Sequence, residues 1–330
     1  MNIFRNFRAP LVFLGAILII LTFFSLVFGR VSLGAQVRIT INAHDGLQEI
    51  AQNLKEHGVI RSVQIFKVYS FIFGAAHTLK PGVYFLNSAS TTRQIVSELK
   101  KGPKILEVTV IEGETIGEID EKLSALGIFA PGELVNFPLK SLAADFPFLQ
   151  GVNSLEGFLF PDTYRFFSGA GSEVVLRVFL EGFAKHVSLL LDVEKKFDYN
   201  RLIIASFLEK EAADASDRAI IAGIIYKRLA HRMPLQIDAT VLFTVCGGRF
   251  HGCKGLTRGD FKVDSLFNTY TKTGLTPTPI ANPGEVSLYA AKNPKVSAFF
   301  YYLSDPGTHK IIFSRTLEEH NNNRARYLGL

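Results

Sequence analysis

Apolar and polar positions follow three regimes along this chain. The first is an unbroken run: residues 11–28, LVFLGAILIILTFFSLVF, carry no charge. About 18 apolar residues suffice to span a bilayer with their flanks, and a cleaved signal peptide has a shorter apolar core. The run therefore reads as an uncleaved anchor over residues 9–29, behind a short leader of residues 1–8. The second regime, residues 37–150, alternates strand and helix. Val37 to Ile41 has period two, Asp45-Gly46 turns the chain, and Leu47, Ile50 and Leu54 recur at helical spacing before Gly58. The phrase returns at matching offsets: Val108 to Val110, then Ile116, Ile119 and Leu123, then Gly127. Such self-similarity is an internal repeat. A looser copy runs from Tyr84-Phe85-Leu86 through Ile95, Val96 and Leu99 to Gly102. The third regime, residues 151–330, mixes helical stripes with Gly- and Pro-rich loops, so the whole reads as an α+β protein.

Residues 200–217, NRLIIASFLEKEAADASD, form the most informative stretch. The spacing predicts a core-facing helix with Asn200 as N-cap, running into a polar turn. Its end carries Glu209 and Glu211, two apart and so on different faces. Glu211 follows Ile204, Phe207 and Leu208 on a strongly apolar stripe, whereas Glu209 follows Leu202, Ala205 and Ser206. A carboxyl against apolar surface is desolvated and its pKa rises, which is what a general acid at neutral pH requires. Asp217 is expected to cap the next helix or face its dipole.

Composition narrows the partners. The net charge of +6 suits anionic lipid or a carboxylate-rich wall polymer. It is too diffuse for nucleic acid, and no dense Lys/Arg block is present. The two cysteines, Cys246 and Cys253, lie in CGGRFHGC. With His251 they make only three ligands in eight residues, a poor tetrahedral set. The pair is expected to be a disulfide or two free thiols, and no metal or cofactor is expected.

Several blocks in the second half carry a resemblance. They are LEGFLFPDTY at 155–164, ASFLEKE at 205–211, LQIDATV at 235–241, NTY at 268–270 and PIANPG at 279–284. In this order they resemble the endolytic murein transglycosylases of the YceG-like, or MltG, family. The strand–helix units of the first half resemble LysM-type modules, which bind N-acetylglucosamine polymers. The resemblance implies a single-pass protein of the bacterial inner membrane, with a LysM-like region and a mixed α/β catalytic domain at 151–330 in the periplasm. It implies cleavage within nascent peptidoglycan strands without hydrolysis, Glu211 as the catalytic residue, and peptidoglycan synthases as further partners. The sequence departs from the family's pattern at Ala212, Ile237, Ala239 and Thr276-Pro277-Thr278, which bears on rate and strand preference more than on reaction type.

A lytic transglycosylase needs one carboxyl group. It protonates the bridging oxygen between N-acetylmuramic acid and N-acetylglucosamine, then takes the proton from the muramyl 6-hydroxyl as that hydroxyl closes a 1,6-anhydro ring. The nucleophile is already tethered. Gln236, Asp238, Asn268 and Tyr270 are the residues expected to line the substrate groove, although Asp238 could equally cap a helix and Tyr270 could simply pack. Two alternatives remain open at this stage. A hydrolytic muramidase needs a second carboxylate, for which Asp214, Asp217 or Asp238 could serve. A non-catalytic glycan-binding scaffold would leave a buried Glu211 without purpose.

Overall fold

The computed structural model describes residues 36–188, 190–191 and 197–329. The apolar run of residues 11–28 lies outside them. Among the described residues no helix is long and apolar enough to cross a membrane. The chain divides into two compact units. The first comprises residues up to 106 together with 126–128 and 165–170, and the second comprises the remainder. The strand–helix region expected over 37–150 is thus shared between the two.

The first unit holds β1 (Gln36–Ile41), α1 (Leu47–Glu56), α2 (Val63–Ile72), β2 (Gly82–Asn87) and α3 (Thr92–Lys101). β1 and β2 pair antiparallel with Ile39 opposite Tyr84. Their alternation puts Ile39, Ile41, Tyr84 and Leu86 on one buried face. Ile50, Ala51 and Leu54 of α1, Phe66 and Tyr69 of α2, and Ile95, Val96 and Leu99 of α3 complete one core. Local chemistry sets the helix ends. Thr91 and Gln94 form a reciprocal capping box on α3, and Gly102 at φ 97° ends it. The repeated phrases are therefore real strand–helix units, and α1 and α4 (Ile116–Ala125) are each ten residues long.

β3 (Ile105–Thr109) pairs with β4 (Thr163–Phe167). In the second unit follow α5 (Ser172–Val187), α6 (Tyr199–Glu211), α7 (Ala215–Ala230), α8 (Asp238–Val245) and α9 (Glu285–Lys292). An antiparallel hairpin, β5 (Tyr301–Ser304) with β6 (Ile311–Ser314), and α10 (Leu317–Leu328) close the chain. α6 is the centre: every residue from Leu202 to Leu208 is buried, and α7, α8 and α9 all pack against it. Its N-cap is Asp198, whose carboxylate accepts from Arg201 N at 3.0 Å. The expected cap Asn200 instead lies inside the first turn, exposed. Asp214 caps α7 through Ser216 N at 2.7 Å, and Asp217 stands in that helix's first turn. Gly223 sits in mid-α7 because a Cβ there would come within 2.1 Å of the Lys295 carbonyl oxygen; that backbone bonds α7 directly, Lys295 N to Ala219 O at 2.8 Å.

Candidate active site

The three residues that end α6 point in three directions, and each is held differently. Glu209 is enclosed. Its side chain is only 4% exposed and pairs with Arg218 of α7, which is 8% exposed, at 3.0 Å. The same guanidinium donates to Ser287 Oγ at 2.9 Å and to the Ala212 carbonyl at 2.7 Å, while Gly284 N donates to Glu209 Oε2 at 2.9 Å. This corrects the expectation that Glu209 is the less buried glutamate. A single-helix stripe misses the N-terminal parts of α7 and α9, which close over it. The network grips the turn that follows Glu211 from both sides.

Lys210 lies 3.9 Å from the centroid of the Phe250 ring, a cation–π contact. Burial pulls its pKa down against the pull of Glu118, Glu209, Glu156 and Glu114. Phe250 belongs to the loop closed by a Cys246–Cys253 disulfide, with Cα atoms 5.8 Å apart. That loop is docked on α4: Glu118 accepts from Phe250 N and His251 N, each at 2.7 Å. Burial alone would raise the Glu118 carboxyl, but these N–H groups and that of Thr115 hold it below its usual range.

Glu211 is half-buried. Burial pushes its pKa up to about 7; the Tyr302 hydroxyl works against the rise and the Asp238 charge adds to it. The Tyr302 hydroxyl is enclosed and makes no hydrogen bond of ordinary geometry. It faces the Glu211 carboxyl, and as a donor it favours the ionised form. Glu211 opens onto a groove of about 760 Å³, walled by residues 209–214 and 216–218 and by Ser304, His309, Lys310 and Ile311 of the hairpin. His309 takes a left-handed φ of 57° in that hairpin's turn. Asp217 shares the groove, and burial raises its carboxyl, as does the charge of Asp214.

The four residues expected beside Glu211 are not walls of that groove, and they divide into two kinds. Asp238, at the start of α8, is exposed and accepts a short hydrogen bond from the Tyr270 hydroxyl. Burial, and then this carboxylate, drive the Tyr270 pKa far up. Gln236 is exposed with φ 54°, a sparsely populated conformation for a residue with a Cβ. Asn268 faces inward. It is fully buried, donating to Phe261 O and Val263 O at 3.0 and 2.8 Å and accepting from Tyr270 N at 3.0 Å. Its amide holds the preceding loop, away from the groove onto which Glu211 opens. Thr269 does the stitching: its Oγ1 accepts from Ile237 N at 2.9 Å and its carbonyl from Gln236 N at 3.0 Å.

Two contributors were not foreseen in the sequence. Tyr302 sits in an aromatic strand, FFYYL, where nothing in the pattern separates it from its neighbours. Arg228 reads as a basic residue at a helix end, yet it is 5% exposed. It donates to Leu235 O at 2.7 Å and Phe300 O at 2.8 Å. One guanidinium thus ties the segment leading to Gln236 and Asp238 to the strand bearing Tyr302.

The fold and the site together place the Glu211 carboxyl at the wall of a groove, where burial pushes its pKa up to about 7. Residues 39–326 match the YceG-like family, and the chain belongs to it. It is 32% identical over 313 residues to the endolytic murein transglycosylase of Bacillus subtilis (strain 168), covering 89% of this chain and 85% of that one. Identity to the endolytic murein transglycosylase of Streptococcus pneumoniae (strain R6) is 28% over 332 residues, with 88% of this chain but 58% of the relative covered. The crystal structure of a YceG-like protein from Listeria monocytogenes matches with a TM-score of 0.59 at 30% identity, over 88% of this chain and all of that one.

Proposed function

We propose that this protein is a peptidoglycan lytic transglycosylase that cuts within nascent glycan strands, and that Glu211 carries the chemistry. The observation that carries the reading is the state of Glu211: burial lifts its pKa to about 7, so a large fraction is protonated at neutral pH and ready to act as general acid. Family membership and relatives named as endolytic murein transglycosylases support the substrate. Glu211 protonates the oxygen between N-acetylmuramic acid and N-acetylglucosamine. The carboxylate left behind then accepts the proton of the muramyl 6-hydroxyl, whose oxygen attacks the anomeric carbon and closes the 1,6-anhydro ring. Beyond the groove's own walls, the exposed side chains of Gln236 and Asp238, with the Tyr270 hydroxyl bonded to Asp238, are the polar groups through which the protein would steady charge on a longer bound strand.

The same reading carries the anchor at 9–29, the catalytic unit outside the cytoplasm, LysM-like glycan contact by the strand–helix units, and peptidoglycan synthases as partners. Mass analysis of the products from purified glycan strands tests it. Ends one water lighter than hydrolysed muramic acid are expected. Reducing muramic acid ends would replace the transglycosylase with a muramidase. Protease added to intact spheroplasts should digest the catalytic unit, and protection would reverse the orientation.

A further inference from the structure

α2 is apolar on two faces. Phe66, Tyr69 and Ser70, at i, i+3 and i+4, form its core face. Val68, Phe71 and Ile72 repeat the same spacing on another face and are 47, 78 and 62% exposed. Phe73, next in the chain and 57% exposed, is held in place by its ring against Tyr69 with centroids 4.4 Å apart. Four neighbouring large apolar side chains at one helix end are unusual on a protein surface that meets only water.

Charge and tether identify what covers them. The described residues of the first unit hold ten Lys and Arg against four Asp and Glu, whereas the second unit is slightly acidic. A second copy of so basic a unit would be repelled. A glycan would find no hydrogen-bonding group on Val68, Phe71 or Ile72. An anionic bilayer surface offers both what the apolar stripe needs and what the basic residues attract. The first described strand begins at Gln36, and a seven-residue segment such as 29–35 can reach roughly 25 Å at full extension, so an anchor at 9–29 would keep the unit at that surface. We propose that the outer face of α2 docks on the lipid surface, inserting Phe71 and its neighbours among anionic headgroups. This rests on the reading of residues 9–29 as a membrane anchor.

The test uses the full-length protein. Both of its cysteines are paired, so Phe71→Cys supplies a single thiol for an environment-sensitive fluorophore, and Gln52→Cys, exposed on α1, is the control. Each is reconstituted in vesicles of phosphatidylglycerol and phosphatidylcholine carrying brominated acyl chains. The label at 71 should be quenched roughly threefold more than the label at 52, and less so in phosphatidylcholine alone or in high salt. Equal quenching at the two positions would overturn the docking. So would emission at 71 that responds to protein density, which indicates a second copy, or only to added glycan strands. Alkaline carbonate extraction separates the two readings. Release from the membrane would refute the anchor, and the label would still report docking directly. Retention with the label at 71 in water would refute the docking alone.

Discussion

Replacing Glu211 by glutamine should slow cleavage sharply and stabilise the protein, with the stabilisation confined to neutral and alkaline pH. A carboxyl lifted from 4.5 to about 7 holds its proton more tightly folded than unfolded. Stability therefore falls as pH rises from 4.5 to 7, and the loss is complete above 7. At about 1.36 kcal/mol per pKa unit the full penalty is roughly 3 kcal/mol. Glu211 is only half-buried, and solvent screening reduces the expected figure to about 1–2 kcal/mol. Glutamine does not titrate, so Glu211→Gln escapes the penalty. At roughly 2–4 °C per kcal/mol, it should melt several degrees above the wild type at pH 8. At pH 4.5 the two should coincide. The rate on purified glycan strands should fall about 10²-fold or more, the scale for a lone general acid. Calorimetric melts at the two pH values, beside the glycan assay, check all three expectations. A gain of equal size at both pH values, or none at pH 8, would refute the claim that Glu211 is desolvated. Near wild-type cleavage would refute its role.

Three other outcomes follow from the surroundings. Glu209→Gln, which breaks the buried pair with Arg218, should cost about 3 kcal/mol or more in a denaturant titration; unchanged stability would mean the pair is not buried in solution. Tyr302→Phe and Asp238→Asn should move the alkaline limb of kcat/KM in opposite directions. Removing the hydroxyl lets the Glu211 pKa rise, and removing the charge lets it fall; parallel shifts would refute the electrostatic reading. Replacing Cys246 and Cys253 with serine should lower the melting temperature through the loop whose Phe250 underlies Lys210, while glycan cleavage measured well below that temperature persists; loss of cleavage by the folded variant would show that the loop takes part in the reaction.

Period and punctuation in the sequence account for most of the elements. Ile39 and Ile41, Leu47, Ile50 and Leu54, and Ile95, Val96 and Leu99 stand where their spacing puts them, because each depends on one face of one element meeting one core. The raised pKa of Glu211 was legible for the same reason: Ile204, Phe207 and Leu208 share its helix. What escaped depends on contacts between elements. Glu209 is enclosed by Arg218 and Gly284, nine and 75 residues away. Asn268 looked like a groove residue because its block is shared with the family, yet its amide serves two carbonyls of the preceding loop. Cap chemistry failed by two residues at Asn200 because Asp198 competes with it, and only backbone geometry chooses between them.

The two buried arginines explain how the site keeps Glu211 in an unfavourable place. A carboxyl at a helix C-terminus meets the negative end of the helix dipole as well as apolar walls, so the turn after it would relax toward water if it were free. Arg218 prevents that by bonding the Ala212 carbonyl and locking onto Glu209 and Ser287. Arg228 performs the same service on the other side, fixing Leu235 and Phe300 so that Asp238 and Tyr302 keep their opposing effects on the acid. Each guanidinium is itself compensated by carbonyls or a carboxylate, which makes its burial tolerable. Within this turn the destabilisation therefore falls on the Glu211 side chain, where protonation relieves it. Shared across the turn, it would leave the carboxyl solvated, with the pKa of an ordinary glutamate and no proton to give at neutral pH.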